Sequence, residues 1–92
     1  MRIWKKILEF DAVQIIELPK GAEWLDCQVQ QGDICLWFIC DETCLEKEKY
    51  KIYICGTGTP LPEEVNINNY VTTVQLRDGN FIFHIFNDLL DE

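Results

Sequence analysis

Apolar residues along this chain recur mostly at every second position, the spacing of a half-buried strand. Ile3 to Leu8 forms a short mixed strand, and Phe10-Asp11-Ala12 turns the chain. Val13 to Leu18 is β-branched and stops at Pro19, which has no N–H to give a ladder. Pro19 to Ala22 reads as a turn. From Trp24 to Gln30 the alternation puts Leu25, Cys27 and Val29 on one face. Trp24, Asp26, Gln28 and Gln30 fall on the other. Gln31-Gly32-Asp33 then signals a tight hairpin.

The next strand, Ile34 to Cys40, is apolar at every position. Such a strand is either covered on both faces or part of an interface. Asp41 to Lys49 is charged and reads as a long loop or an extended hairpin tip. Tyr50 to Cys55 alternates again, with Tyr50, Ile52 and Ile54 on one face. Gly56 to Asn69 is a long connection containing Pro60 and Pro62, with room for one helical turn over Glu63–Ile67. Tyr70–Leu76 and Phe81–Phe86 pair across Arg77-Asp78-Gly79-Asn80. The second arm of that hairpin is apolar on both faces, so a sheet, a ligand or another copy of the chain must cover the far one. The acidic tail, 88–92, is expected to be frayed or a short helix. About seven strands at short intervals predict an all-β fold, a small antiparallel sandwich or barrel, in a single domain over 1–92.

Composition narrows the functional classes. Sixteen acidic and eight basic residues give a net charge of −8. Direct nucleic-acid binding needs clustered Lys and Arg, and the chain has none beyond Lys5-Lys6 and the mixed run Glu46–Lys49. No apolar run approaches the roughly 20 residues of a spanning helix, and Glu9 and Asp11 interrupt any signal-peptide core. The five cysteines lie mostly in apolar strand patterns and read as reduced thiols of a cytoplasmic protein. At this size a domain is marginal alone, which favours a homo-oligomer.

Candidate chemistry is sparse. Gly56-Thr57-Gly58-Thr59-Pro60 follows a strand. Its glycines and hydroxyls could cradle a phosphate, or the glycines could simply supply positive φ to a wide turn. It lacks the Gly-Lys-Ser/Thr of a Walker loop and the third glycine of a dinucleotide fingerprint. His84, the single histidine, shares a face with Ile82 and Phe86 and is either a polar contact in an apolar pocket or a partly buried interface residue. Trp4, Trp24 and Trp37 are stacking candidates or core, with Trp24 the best candidate because its face is otherwise polar. The cysteines do not form the paired C-x-x-C pattern of a zinc site. A Cys–His pair has no feature that marks an activated thiol. No residue set requires a cofactor or a metal.

Several segments together carry a resemblance. They are Ile3-Trp4-Lys5, Leu18 to Glu23, Gln28-Val29-Gln30, Cys35-Leu36-Trp37, Gly56-Thr57-Gly58, Pro60-Leu61-Pro62, Val74-Gln75-Leu76 and Phe83-His84-Ile85-Phe86. The chain resembles, from about residue 2 to residue 87, a family of small proteins of unknown function carried mainly by bacteriophages and prophages. Relatives of that kind often place histidine before the first proline, where Thr59 stands here. The resemblance implies a phage accessory protein in the host cytoplasm, a class that frequently counters host defence. The expected activity is non-enzymatic: sequestration of a small nucleotide-like signal. Gly56, Thr57, Gly58 and Thr59 would hold its phosphates, Trp24 or Tyr70 would stack on a base, and His84 or Gln75 would add a polar contact. The alternative is an acidic inhibitor of a host defence protein, with Asp41, Glu42, Glu63, Glu64, Asp88, Asp91 and Glu92 as the contact acids.

Overall fold

A computed structural model describes residues 1–90 of the chain. Its strands are β1 (Arg2–Leu8), β2 (Val13–Pro19), β3 (Glu23–Gln30), β4 (Asp33–Cys40), β5 (Lys47–Gly56), β6 (Tyr70–Leu76) and β7 (Phe81–Leu90). A single 3₁₀ turn, Ile67–Asn69, precedes β6. The strands form two antiparallel sheets, a small one in the order β1-β4-β3 and a large one in the order β2-β5-β7-β6. The fold is all-β, and the sheets pack face to face as a sandwich.

Alternation along the strands builds the core. Leu8, Cys27, Ile34, Leu36, Phe38 and Cys40 point inward from the small sheet. Ile16, Leu18, Tyr50, Ile52, Ile54, Val74, Leu76 and Ile85 meet them from the large sheet. The tight turns carry the chemistry expected of them. Gln31 and Gly32 sit at φ 50° and 83°, and Asp78 and Gly79 at φ 56° and 87°. Both pairs occupy the central positions of hairpin turns that require left-handed backbone.

The second apolar face of β7 is covered by the chain itself at Phe86, whereas Ile82 stays 37% exposed. Val65, carried by the long connection, packs on Tyr53, Cys55 and Phe86 on the outer face of the large sheet. Val65 N–H donates to the Pro62 carbonyl, which closes a turn within the connection. Asn66 caps the 3₁₀ turn by accepting from the Asn68 N–H, which sets the turn at 67–69 rather than at 63–67.

Three other expectations are corrected. β3 does not alternate without interruption. A bulge between Trp24 and Asp26 sets Leu25 and Asp26 together opposite Trp37, so Trp24 turns inward against Phe38 and Leu25 is exposed. β5 begins at Lys47, because β2 and β7 bring backbone partners to the charged segment while its side chains stay partly in water. Asp88, Leu89 and Leu90 are not frayed but pair with Lys51, Tyr50 and Lys49. The rest of the tail, Asp91 and Glu92, lies outside the described residues.

The burial pattern separates core from edge. Leu36 is wholly buried, so Leu36→Ala should lower the unfolding free energy by about 2–5 kcal/mol. Ile15 is 59% exposed on the edge strand β2, and Ile15→Ala should change stability by no more than about 0.5 kcal/mol. Urea denaturation of both variants measures the contrast, and equal losses would contradict the packing described.

Candidate functional site

The glycine loop is a turn that closes on itself. The Thr57 N–H donates to the Ile82 carbonyl at 3.3 Å, and the Thr59 N–H donates to the Gly56 carbonyl at 3.2 Å. Gly58 holds φ +85° at the third position of that turn, where glycine avoids the left-handed penalty of other residues. A Cβ at Gly58 would meet nothing within 4 Å. The glycine thus meets a backbone requirement and does not make room for a close neighbour. Both threonine N–H groups are committed, whereas the Gly58 N–H has no backbone partner among the described residues.

The threonine side chain leads into a polar network on the outer face of the large sheet. Thr57 Oγ1 lies 2.7 Å from His84 Nε2, and Thr73 Oγ1 lies 2.9 Å from His84 Nδ1. The Tyr70 hydroxyl lies 2.5 Å from Thr73 Oγ1, and its ring meets Phe86 edge-on at 5.8 Å. Strand register makes this cluster: His84 of β7 stands beside Thr73 of β6 and Cys55 of β5. Both imidazole nitrogens are taken by hydroxyls, and the chain of bonds ends in a phenol. No carboxylate in it would stabilise an imidazolium, as a hydrolytic triad requires. Burial pushes the Cys55 thiol up from its ordinary value, the opposite of activation.

The structure therefore brings together Gly56, Thr57, Gly58, Thr59, His84 and Tyr70; Gln75 stands beside Ile82, two residues along β6 from Thr73, and Trp24 lies apart. Trp24 packs against the core, beside Tyr50 with ring centroids 5.4 Å apart and tilted by 56°. It offers no open face to a ligand next to the glycine loop. Its indole Nε1 is buried without a hydrogen-bond partner.

Gln75 also lines an open cleft of about 700 Å³. The lining comes from three loops at one end of the sandwich: Phe10 from the β1–β2 turn, Val29 and Gly32 from the β3–β4 hairpin, and Leu76, Arg77, Asp78, Phe81 and Phe83 from the β6–β7 hairpin. Phe10 and Phe81 are 57% and 46% exposed, although both are large apolar rings. The Arg77 guanidinium stands 5.6 Å from the centre of the Phe81 ring. Arg77 itself takes φ 51°, a left-handed conformation unusual for a residue with a Cβ. These residues did not stand out in the strand pattern. The signals that could have found them are an arginine in an acidic chain at a hairpin tip and a phenylalanine in a turn.

The remaining titratable groups add little chemistry. Among the described residues no group of three His, Cys, Asp or Glu side chains could hold a metal. The five cysteines are unpaired thiols. Burial raises the Cys27 thiol to about 11, with Asp26 and Cys35 adding to it.

The chain belongs to the family described as a domain of unknown function, DUF7352, which matches residues 1–91. No curated protein and no solved structure matches it.

Two outcomes follow from this geometry. Gly58→Ala should lower stability by about 1–2 kcal/mol through left-handed strain alone, and a thermal melt with no loss would contradict the turn. Cys27 links stability to alkaline pH. Its folded value lies above its ordinary 9.0, so its stabilisation is complete below about pH 8 and is lost as pH rises through about 11. Unfolding measured from pH 7 to 11 should show that loss, and Cys27→Ala should remove this part of it.

Proposed function

We propose that the protein is a non-enzymatic accessory protein that binds and sequesters a small nucleotide-like signalling molecule, and that the ligand occupies the cleft at the end of the sandwich. The observation that carries this reading is Arg77. A left-handed arginine costs roughly 1–3 kcal/mol, and such strain is concentrated at binding sites. Here it holds a cation against an exposed aromatic ring at the mouth of an apolar cleft. The cleft's size lies within the range of about 300–1,000 Å³ usual for small-molecule pockets. Aromatic walls suit a base, the Gln75 amide suits its polar edge, and Arg77 suits a phosphate.

The net charge of −8 opposes an anionic ligand. That opposition is screened over about 8 Å, while the guanidinium acts at contact. Asp78 also lines the cleft and suits a hydroxyl or amino donor of the ligand. The glycine loop and His84 take a supporting place in this reading, since their donors are largely spent within the protein. We read the chain as phage-carried, acting against host defence by removing a signal.

The acidic-inhibitor reading finds less support. Arg2 holds Glu42 at 2.7 Å, Lys51 stands opposite Asp88, and Glu63 and Glu64 sit on the separate connection over the large sheet.

The test separates binding from folding. Calorimetry with cyclic AMP, cyclic di-AMP and ADP-ribose should find binding by at least one. Arg77→Gly should weaken that binding by about tenfold or more through loss of a charge-assisted contact. The same variant should melt no lower than the parent, because glycine relieves the left-handed strain. Absence of binding at about millimolar ligand, or full affinity in Arg77→Gly, would overturn the proposal.

A further inference from the structure

The cleft at the end of the sandwich sets one cation among several acids. Among its lining residues Arg77 is the one cation and Asp78 the one carboxylate. Three more acids stand next in sequence to lining residues: Glu9 and Asp11 flank Phe10, and Asp33 follows Gly32. Glu9 and Asp11 are exposed, and Asp33 is half-buried. Among the described residues the ion pairs are Arg2–Glu42 and Lys20–Glu46, and neither involves Arg77. The exposed guanidinium is thus open to a ligand, but it is outnumbered by carboxylates around it.

An aromatic wall relates base to phosphate. Phe81 and Phe83 both line the cleft, with rings parallel to within 3° and centred 6.3 Å apart. A planar base laid on Phe81 has its phosphate one sugar away, and the guanidinium stands 5.6 Å from the centre of that ring. A second negative charge would find no second cation among the lining residues. A charge drawn out of water without a partner costs free energy. Even in a water-like medium, each like charge about 6 Å away weakens binding by about threefold.

From this charge pattern we infer that the cleft selects a nucleotide with a single negative charge, a cyclic mononucleotide phosphodiester, over nucleotides that carry two. The inference rests on the reading of the cleft as a nucleotide site and narrows its ligand class. The one charge of the diester goes to Arg77. Asp78 accepts from a hydroxyl or amino group of the ligand. Asp33, Glu9 and Asp11 add repulsion against any further charge. A terminal phosphate monoester is close to doubly charged at neutral pH, because its second pKa is about 6. Mononucleotide monoesters are therefore disfavoured. Dinucleotides with two phosphates are disfavoured for the same reason.

Calorimetry with adenine compounds of graded charge tests the inference. The probes are adenosine, cyclic AMP, AMP, cyclic di-AMP and ADP-ribose, at about pH 8, where the monoester is fully ionised. Cyclic AMP should bind about tenfold or more tightly than AMP, cyclic di-AMP or ADP-ribose. It should exceed adenosine by a similar factor, because adenosine brings no charge to Arg77. Asp78→Asn keeps an acceptor oxygen and a residue that tolerates left-handed backbone. In that variant AMP should gain about threefold on cyclic AMP, since one repelling charge is gone. Circular dichroism checks that the variant is folded. Binding of AMP, cyclic di-AMP or ADP-ribose as tight as that of cyclic AMP would overturn the inference and leave the nucleotide reading standing. An unchanged ratio of AMP to cyclic AMP affinity in folded Asp78→Asn would do the same. Absence of binding by every probe, or adenosine equal to cyclic AMP, would overturn both.

Discussion

Covering two faces of one sheet with a short chain is the constraint on which the rest of this structure depends. The middle strands of the large sheet, β5 and β7, are apolar on both sides. Leaving either side in water would forfeit about 25 cal/mol for each Å² of apolar surface. The inner side meets the small sheet through Leu36, Ile34 and Phe38. The outer side meets Val65, which reaches Tyr53 and Phe86 only because the connection before β6 is long and is held by the Asn66 cap. The same connection begins with the glycine turn that places Thr57 on His84. What reads in the sequence as a candidate phosphate loop is thus the start of a covering segment, and its glycine and proline content follows from the path it must take.

Coverage is incomplete in at least two places, and the first is where ligand binding is proposed. At one end of the sandwich the small sheet stops short of the β6–β7 hairpin, leaving Phe81 half exposed and Phe10 beside an open cleft. On the outer side of the small sheet no described segment of the chain plays the part that Val65 plays opposite, and Ile3, Ile7 and Leu25 remain in water. The first gap is concave and bears a strained cation, which suits a small ligand. The second is a sheet face whose apolar residues are flanked by Glu23 and Asp26 of β3.

Strand positions were legible because one face of most strands is polar, and the turns were legible because Gln31-Gly32 and Asp78-Gly79 have the residues that left-handed backbone favours. The bulge at Leu25 was not legible. Unbroken alternation reads Trp24 with Asp26, and a single inserted residue reverses the assignment. Strand ends at Lys47–Lys49 and Asp88–Leu90 were missed because backbone pairing, not side-chain polarity, extends them. Of the site, the local cluster around the glycines was readable, since a loop and a strand with marked residues suggested it. The cleft was not, because Phe10, Val29 and Phe81 meet only through tertiary packing, and no short pattern joins them.

The most direct test of where this protein binds is a two-dimensional amide NMR titration with whichever of the three nucleotides binds. Binding in the cleft predicts shifts concentrated on Phe10, Gly32 and the hairpin amides from Arg77 to Phe83, with the Trp24 indole unmoved. Shifts centred instead on the turn amides of Gly56, Thr57, Gly58 and Thr59, together with the His84 ring, would contradict it and return the site to the glycine loop.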